Sequence, residues 1–198
     1  MEYTMEIDLE KENGYVRKAY ETACKHGFHD EYRPDTHWLM LVITEISEAV
    51  EADRKGKRAQ VAMFNKECNS PQPEERVNAH WQFCFEQFIK DTVEDEFADI
   101  CIRLYDYAGL IGARITKAPA KDAFVQWLEA FGELSFTQLA FILCRIITTT
   151  TENKSVKIAR ALSFVRCWAK HWNVDLQRHI ELKMRYNAER PVRHGKQY

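Results

Sequence analysis

The chain has 198 residues, 45% of them apolar and 29% charged, and 28 Lys+Arg against 30 Asp+Glu leave a formal net charge of −2. That balance excludes a polybasic nucleic-acid binder and a disordered chain, and the length suits one domain that can bury its own core. Only 7 Gly and 5 Pro are present, roughly half of average usage, which points to long helices rather than a sandwich or barrel. A helix is predicted over residues 9–26, stopped by Gly27. Arg33-Pro34-Asp35-Thr36 restarts the chain with Asp35 or Thr36 as N-cap, and a second helix runs over 37–55 to Gly56. Residues 57–78 contain Asn69-Ser70-Pro71-Gln72-Pro73 and read as an irregular insertion in a single all-α domain spanning 1–198. A third helix is predicted over 83–110, then a connection with Pro119 over 112–121. Further helices follow over 123–130, 135–148, 155–171 and 174–189, the last closed by Pro191. No stretch alternates convincingly as a strand, with the β-branched run at 146–151 as the rival reading. No segment nears the roughly 18 uninterrupted apolar residues of a membrane span. The acidic first six residues lack an apolar core, so no signal peptide is expected. Six scattered cysteines without a CxxC pair read as reduced, in a cytoplasmic protein.

The chemistry is concentrated in the second and third helices. In the second, Leu39, Ile43, Ile46 and Val50 form one apolar stripe and Trp38, Leu41, Val42, Ala49 and Ala52 another. Glu45 projects from the centre of that second stripe, and Glu48 lies one turn on at its edge. A carboxylate embedded in apolar surface costs several kcal/mol, on the order of a lost buried charge, unless a cation, an arginine or a metal ion meets it. In the third helix Val93, Phe97, Ile100, Leu104 and Ile111 give the core stripe, Glu96 and Asp99 flank it at i and i+3, and Asp106 continues the row. Two antiparallel helices with carboxylates at i and i+3 can converge four oxygen donors on a hard cation such as Mg²⁺ or Mn²⁺. No Glu-x-x-His occurs, which excludes the di-iron bundle pattern. Spacing alone leaves a second reading open, a salt-bridged helix face in which Arg103 pairs with Asp99 and Asp106; the embedded Glu45 favours the metal. His29-Asp30 is a bare dipeptide, a weak signal, because a histidine–aspartate metal site needs further His and Asp ligands at distant positions.

Around these residues stand Thr44-Glu45-Ile46-Ser47-Glu48-Ala49-Val50-Glu51-Ala52 and Asp95-Glu96-Phe97-Ala98-Asp99-Ile100. The C-terminal part carries Lys183-Met184-Arg185-Tyr186-Asn187-Ala188-Glu189-Arg190-Pro191 and then His194-Gly195-Lys196. These three elements, in this order, resemble the MazG-like superfamily of all-α nucleoside triphosphate pyrophosphohydrolases. The resemblance covers the second, third and last helices and departs from the compact members in the longer gap between Glu48 and Glu96.

The resemblance implies a helical bundle completed by oligomerisation, a homodimer or homotetramer. It implies hydrolysis of a (d)NTP to (d)NMP and pyrophosphate in nucleotide-pool house-cleaning. It makes Glu45, Glu48, Glu96 and Asp99 ligands of Mg²⁺, with Mn²⁺ as a possible substitute, and gives Glu48 the further role of orienting or deprotonating water. Lys183, Asn187 and Arg190, at i, i+4 and i+7 on one helix face, are expected to bind phosphate, with Arg193, His194 and Lys196 extending the charge. Trp38 is a candidate base or sugar contact, with plain core as its simpler role. No membrane and no stable nucleic-acid partner is expected. The alternative is a non-catalytic helical metal- or nucleotide-binding interaction protein with a vestigial site.

Overall fold

The computed structural model describes residues 8–116, 133–150 and 152–191. The helix predicted over 123–130, the connection through Pro119, and Arg193, His194 and Lys196 lie outside the described residues. Among those described the chain is all-helical: α1 (Leu9–Lys25), α2 (Asp35–Arg54), α3 (Val61–Cys68), a 3₁₀ turn (Glu74–Arg76), α4 (Val77–Phe88), α5 (Val93–Leu110), α6 (Phe136–Thr148), α7 (Lys154–His171) and α8 (Leu176–Ala188). None of the described helices is long and apolar enough to cross a membrane.

Local chemistry sets the ends. Asp8 caps α1 by accepting from the Glu10 and Lys11 amides at 3.1 and 3.0 Å. Gly27 and Gly56, with φ of 75° and 64°, take the left-handed turns that follow α1 and α2. Ser135 and Gln138 form a reciprocal capping box at the start of α6.

Two expectations are corrected here. The helix predicted over 83–110 is two helices, α4 and α5. The break at 89–92 carries no Gly or Pro. Instead Asp91 adopts a left-handed φ of 58°, and the Thr92 hydroxyl donates to the Ile89 carbonyl at 2.6 Å while accepting from the Asp95 amide at 3.4 Å. The insertion predicted as irregular over 57–78 contains α3, the 3₁₀ turn and the start of α4, and α3 and α4 pack as a hairpin. The hairpin has a small core of Phe64, Trp81, Cys84 and Phe85, with Ile89 just after it, joined by Tyr186 of α8.

The centre of the main core is α5, packed against α1, α2, α7 and α8. Phe97, Ile100 and Leu104 of α5 bury themselves with Val42 and Ile46 of α2, Leu143 of α6, and Phe164 and Trp168 of α7. The Phe97 and Phe136 rings stack at 5.8 Å, and Trp168 leans on Phe97 at 4.7 Å. A buried polar joint crosses this core: the Tyr105 hydroxyl donates to Glu12 at 2.7 Å, and Arg166 pairs with Glu12 and donates to the Tyr105 oxygen at 2.6 Å. It ties α1, α5 and α7 together.

Candidate metal centre

The pairing of α2 with α5 places the acidic residues. The Val93 amide bonds the Lys57 carbonyl at 3.2 Å and Arg103 pairs with Glu45 at 2.8 Å, so the two helices run antiparallel. Each has its i, i+3 carboxylates on the side that meets the other. Glu45, Glu48 and Glu96 bring one oxygen each within 4.8 Å of one another. Glu45 and Glu96 are buried and Glu48 is exposed. These three line a cavity of about 230 Å³ together with Asp99, Lys183, Asn187 and Arg190. A second group, Asp91, Asp95 and Glu96, shares Glu96 with the first.

The internal cations are distributed unevenly over these acids. Arg103 meets Glu45, not Asp99 as the i, i+4 spacing suggests. Lys183 is 5% exposed and bonds Asp99 at 2.6 Å and Asp95 at 2.7 Å, so the lysine expected to clamp phosphate is engaged with carboxylates. Asp99 lines the cavity but its partner is this lysine, and its oxygens stand outside the Glu45–Glu48–Glu96 group. Glu96 is 4% exposed, and its buried Oε2 has no hydrogen-bond partner among the described residues.

Burial governs the proton affinities. It pushes the Glu96 carboxyl up to about 9, with the Asp99 and Asp95 charges adding to the effect. Burial raises Glu45 as well, Asp99 adds to this, and Arg103 opposes it. Asp95 is pushed up to about 6 by burial against the pull of Lys183. For Lys183, burial acts downward, but the Asp95 and Asp99 charges beside it overcome this and hold the ammonium above its ordinary range.

On the basic side, Asn187 is half-buried and its side-chain oxygen has no hydrogen-bond partner among the described residues. Arg190 lies 5.7 Å from the Tyr186 ring, and its backbone carbonyl accepts from His26 at 2.8 Å. Trp38 does not line the cavity. It is 5% exposed in the main core, its ring 4.6 Å from that of His29, so the simpler of its two expected roles is the one the fold gives it. His29 bonds Asp106, 2.7 Å away, rather than its sequence neighbour Asp30. Sequence reasoning missed Asp95 and this His29–Asp106 pair.

Three carboxylates converging on one point, one of them with a buried oxygen that has no hydrogen-bond partner among the described residues, form a hard-oxygen donor set that could hold a divalent cation such as Mg²⁺ or Mn²⁺. No protein-family model, curated protein or solved structure matches the chain.

Proposed function

We propose that the protein is a divalent-metal-dependent nucleoside triphosphate pyrophosphohydrolase of the MazG-like kind, cleaving a (d)NTP to (d)NMP and pyrophosphate in house-cleaning of the nucleotide pool. The observation that carries the reading is Glu96: a buried carboxylate whose Oε2 has no hydrogen-bond partner among the described residues, grouped with Glu45 and Glu48 in a cavity that also holds Asn187 and Arg190. Glu45, Glu48 and Glu96 would hold Mg²⁺, with Mn²⁺ as substitute and Asp99 beside them. When bound, the ion would offset the carboxylate charge that repels a triphosphate and lower the pKa of a water.

The chain's own residues supply the rest. Glu48 is exposed and has no ion pair among the described residues, which suits it to orient or deprotonate the attacking water. Arg190 and Asn187 are disposed to meet phosphate oxygens. Lys183 neutralises Asp95 and Asp99, and through them limits the negative charge the substrate faces. The same reading carries with it a cytoplasmic homodimer or homotetramer.

The engagement of Arg103 and Lys183 favours a second reading, a binding protein in which the acids serve a structural charge network. Turnover of a panel of ribo- and deoxyribonucleoside triphosphates with Mg²⁺ or Mn²⁺ separates the two, with pyrophosphate and orthophosphate scored apart. Pyrophosphate released by wild type and lost in Glu45→Gln and Glu96→Gln supports the hydrolase. Orthophosphate alone, or no product with metal binding intact, overturns it.

A further inference from the structure

Beyond the carboxylates the cavity continues along α5, whose Glu96, Asp99, Arg103 and Asp106 line it at successive turns. Asp106 stands seven residues past Asp99, about 10.5 Å along a helix that rises 1.5 Å per residue. The wall contributed by α1 and the turn after it is mixed, with Ala19, Ala23 and Phe28 beside Thr22 and His26. The close approach of Tyr20 to Gly109 and the bond from His29 to Asp106 set this wall beside Asp106 rather than beside Glu96.

Asp106 is 5% exposed. Its Oδ1 accepts from His29 Nε2 at 2.7 Å, and its side chain lines the cavity. The His29 ring is held between Tyr20 and Trp38, at 5.1 and 4.6 Å. Its buried Nδ1 has no hydrogen-bond partner among the described residues, which favours the proton on Nε2, where it is given to Asp106. Asn187 Oδ1 is a buried acceptor in the same cavity with no donor among the described residues.

We infer that this end of the cavity is a base subsite in which Asp106, oriented by His29, accepts a hydrogen bond from an exocyclic amino group. The preferred nucleotides then carry cytosine or adenine rather than the matched carbonyl bases uracil or hypoxanthine. The inference rests on the nucleoside triphosphate reading of the cavity. A carboxylate set in the wall of a cavity and already turned by His29 calls for a ligand that brings donors. A carbonyl in the same place sets lone pairs against a carboxylate, and a site built around buried hydrogen-bonding groups rejects such an analogue strongly. The sugar hydroxyls, a nucleotide's other donors, lie close to the phosphates. Two helical turns from Asp99 reach past them to the far edge of the base.

The test compares dCTP with dUTP and dATP with dITP in kcat/KM, and the four corresponding monophosphates in Kd by calorimetry. In the pair that binds more tightly, the amino member is expected to lead by on the order of tenfold or more in both quantities. In Asp106→Asn, whose amide can also donate, the ratio is expected to fall to about threefold or less. Carbonyl members bound equally or better, a ratio unchanged in Asp106→Asn, or binding of none of the four overturns the inference. The wild-type ratio decides by itself where the variant does not fold. Amino preference in binding without pyrophosphate release leaves the subsite standing and sinks the hydrolase; turnover without preference does the reverse.

Discussion

At the scale of single residues, the proton on Glu96 reports the state of the site. The ordinary value of its carboxyl is 4.5, and burial with the nearby Asp99 and Asp95 charges moves it to about 9 in the fold. Between those values the folded protein keeps a proton that the unfolded chain has lost. Stability therefore falls as pH rises through that window, since the native state binds more protons than the unfolded one. Thermal unfolding of the metal-stripped protein is expected to show a Tm that declines from about pH 6 to about pH 9. Glu96→Gln is expected to flatten the decline. Saturating Mg²⁺ should flatten it too, because an ion binds the ionised carboxylate. A decline of equal size in Glu96→Gln would assign the effect to other groups.

At the scale of elements, α1 lies close on α5 because Gly109 has no side chain. A Cβ there would stand 2.5 Å from the Tyr20 Cβ. Gly109→Ala is expected to destabilise the fold by about 1–3 kcal/mol, the cost of overpacking, read as a lower denaturant midpoint at constant m. An unchanged midpoint would show that the two helices separate freely. Much of the element order is legible in the sequence, because apolar periodicity and caps are local signals: Gly27, Gly56 and the Ser135 box mark ends that the chain uses. The break between α4 and α5 is not legible. It is held by tertiary contacts, among them Glu94, which accepts from Arg58 at 2.7 Å and from the Ala59 amide at 2.9 Å. These clamp the return of the α3–α4 hairpin against its departure. The carboxylates of the candidate site are legible from their i, i+3 spacing. Their counter-cations are not: Arg103 reaches Glu45 across 58 positions, Lys183 reaches Asp95 across 88, and His29 reaches Asp106 across 77. No local pattern encodes such pairs.

At the scale of the whole molecule, the cavity is a consequence of how α1, α2 and α8 gather around α5. The α3–α4 hairpin supports it from outside. Phe85 stacks on Tyr186 at 4.6 Å, and the Tyr186 hydroxyl donates to Glu86 at 2.8 Å, so α8 is gripped between the hairpin and α5. That grip fixes the helix that carries Lys183, Asn187 and Arg190. Of the buried acids, Glu12, Glu45 and Asp95 each meet a cation, whereas Glu96 makes no ion pair among the described residues, and the account stands on the claim that a divalent ion completes the site there. Calorimetric titration of the metal-stripped protein with Mn²⁺, in wild type and in Glu96→Gln, tests that claim most directly. The expected result is saturable binding in wild type, weakened by on the order of a hundredfold or more in the variant, beyond the 10–100-fold loss typical of outer-shell changes. Equal affinity in the two proteins, or no binding in either, would contradict it.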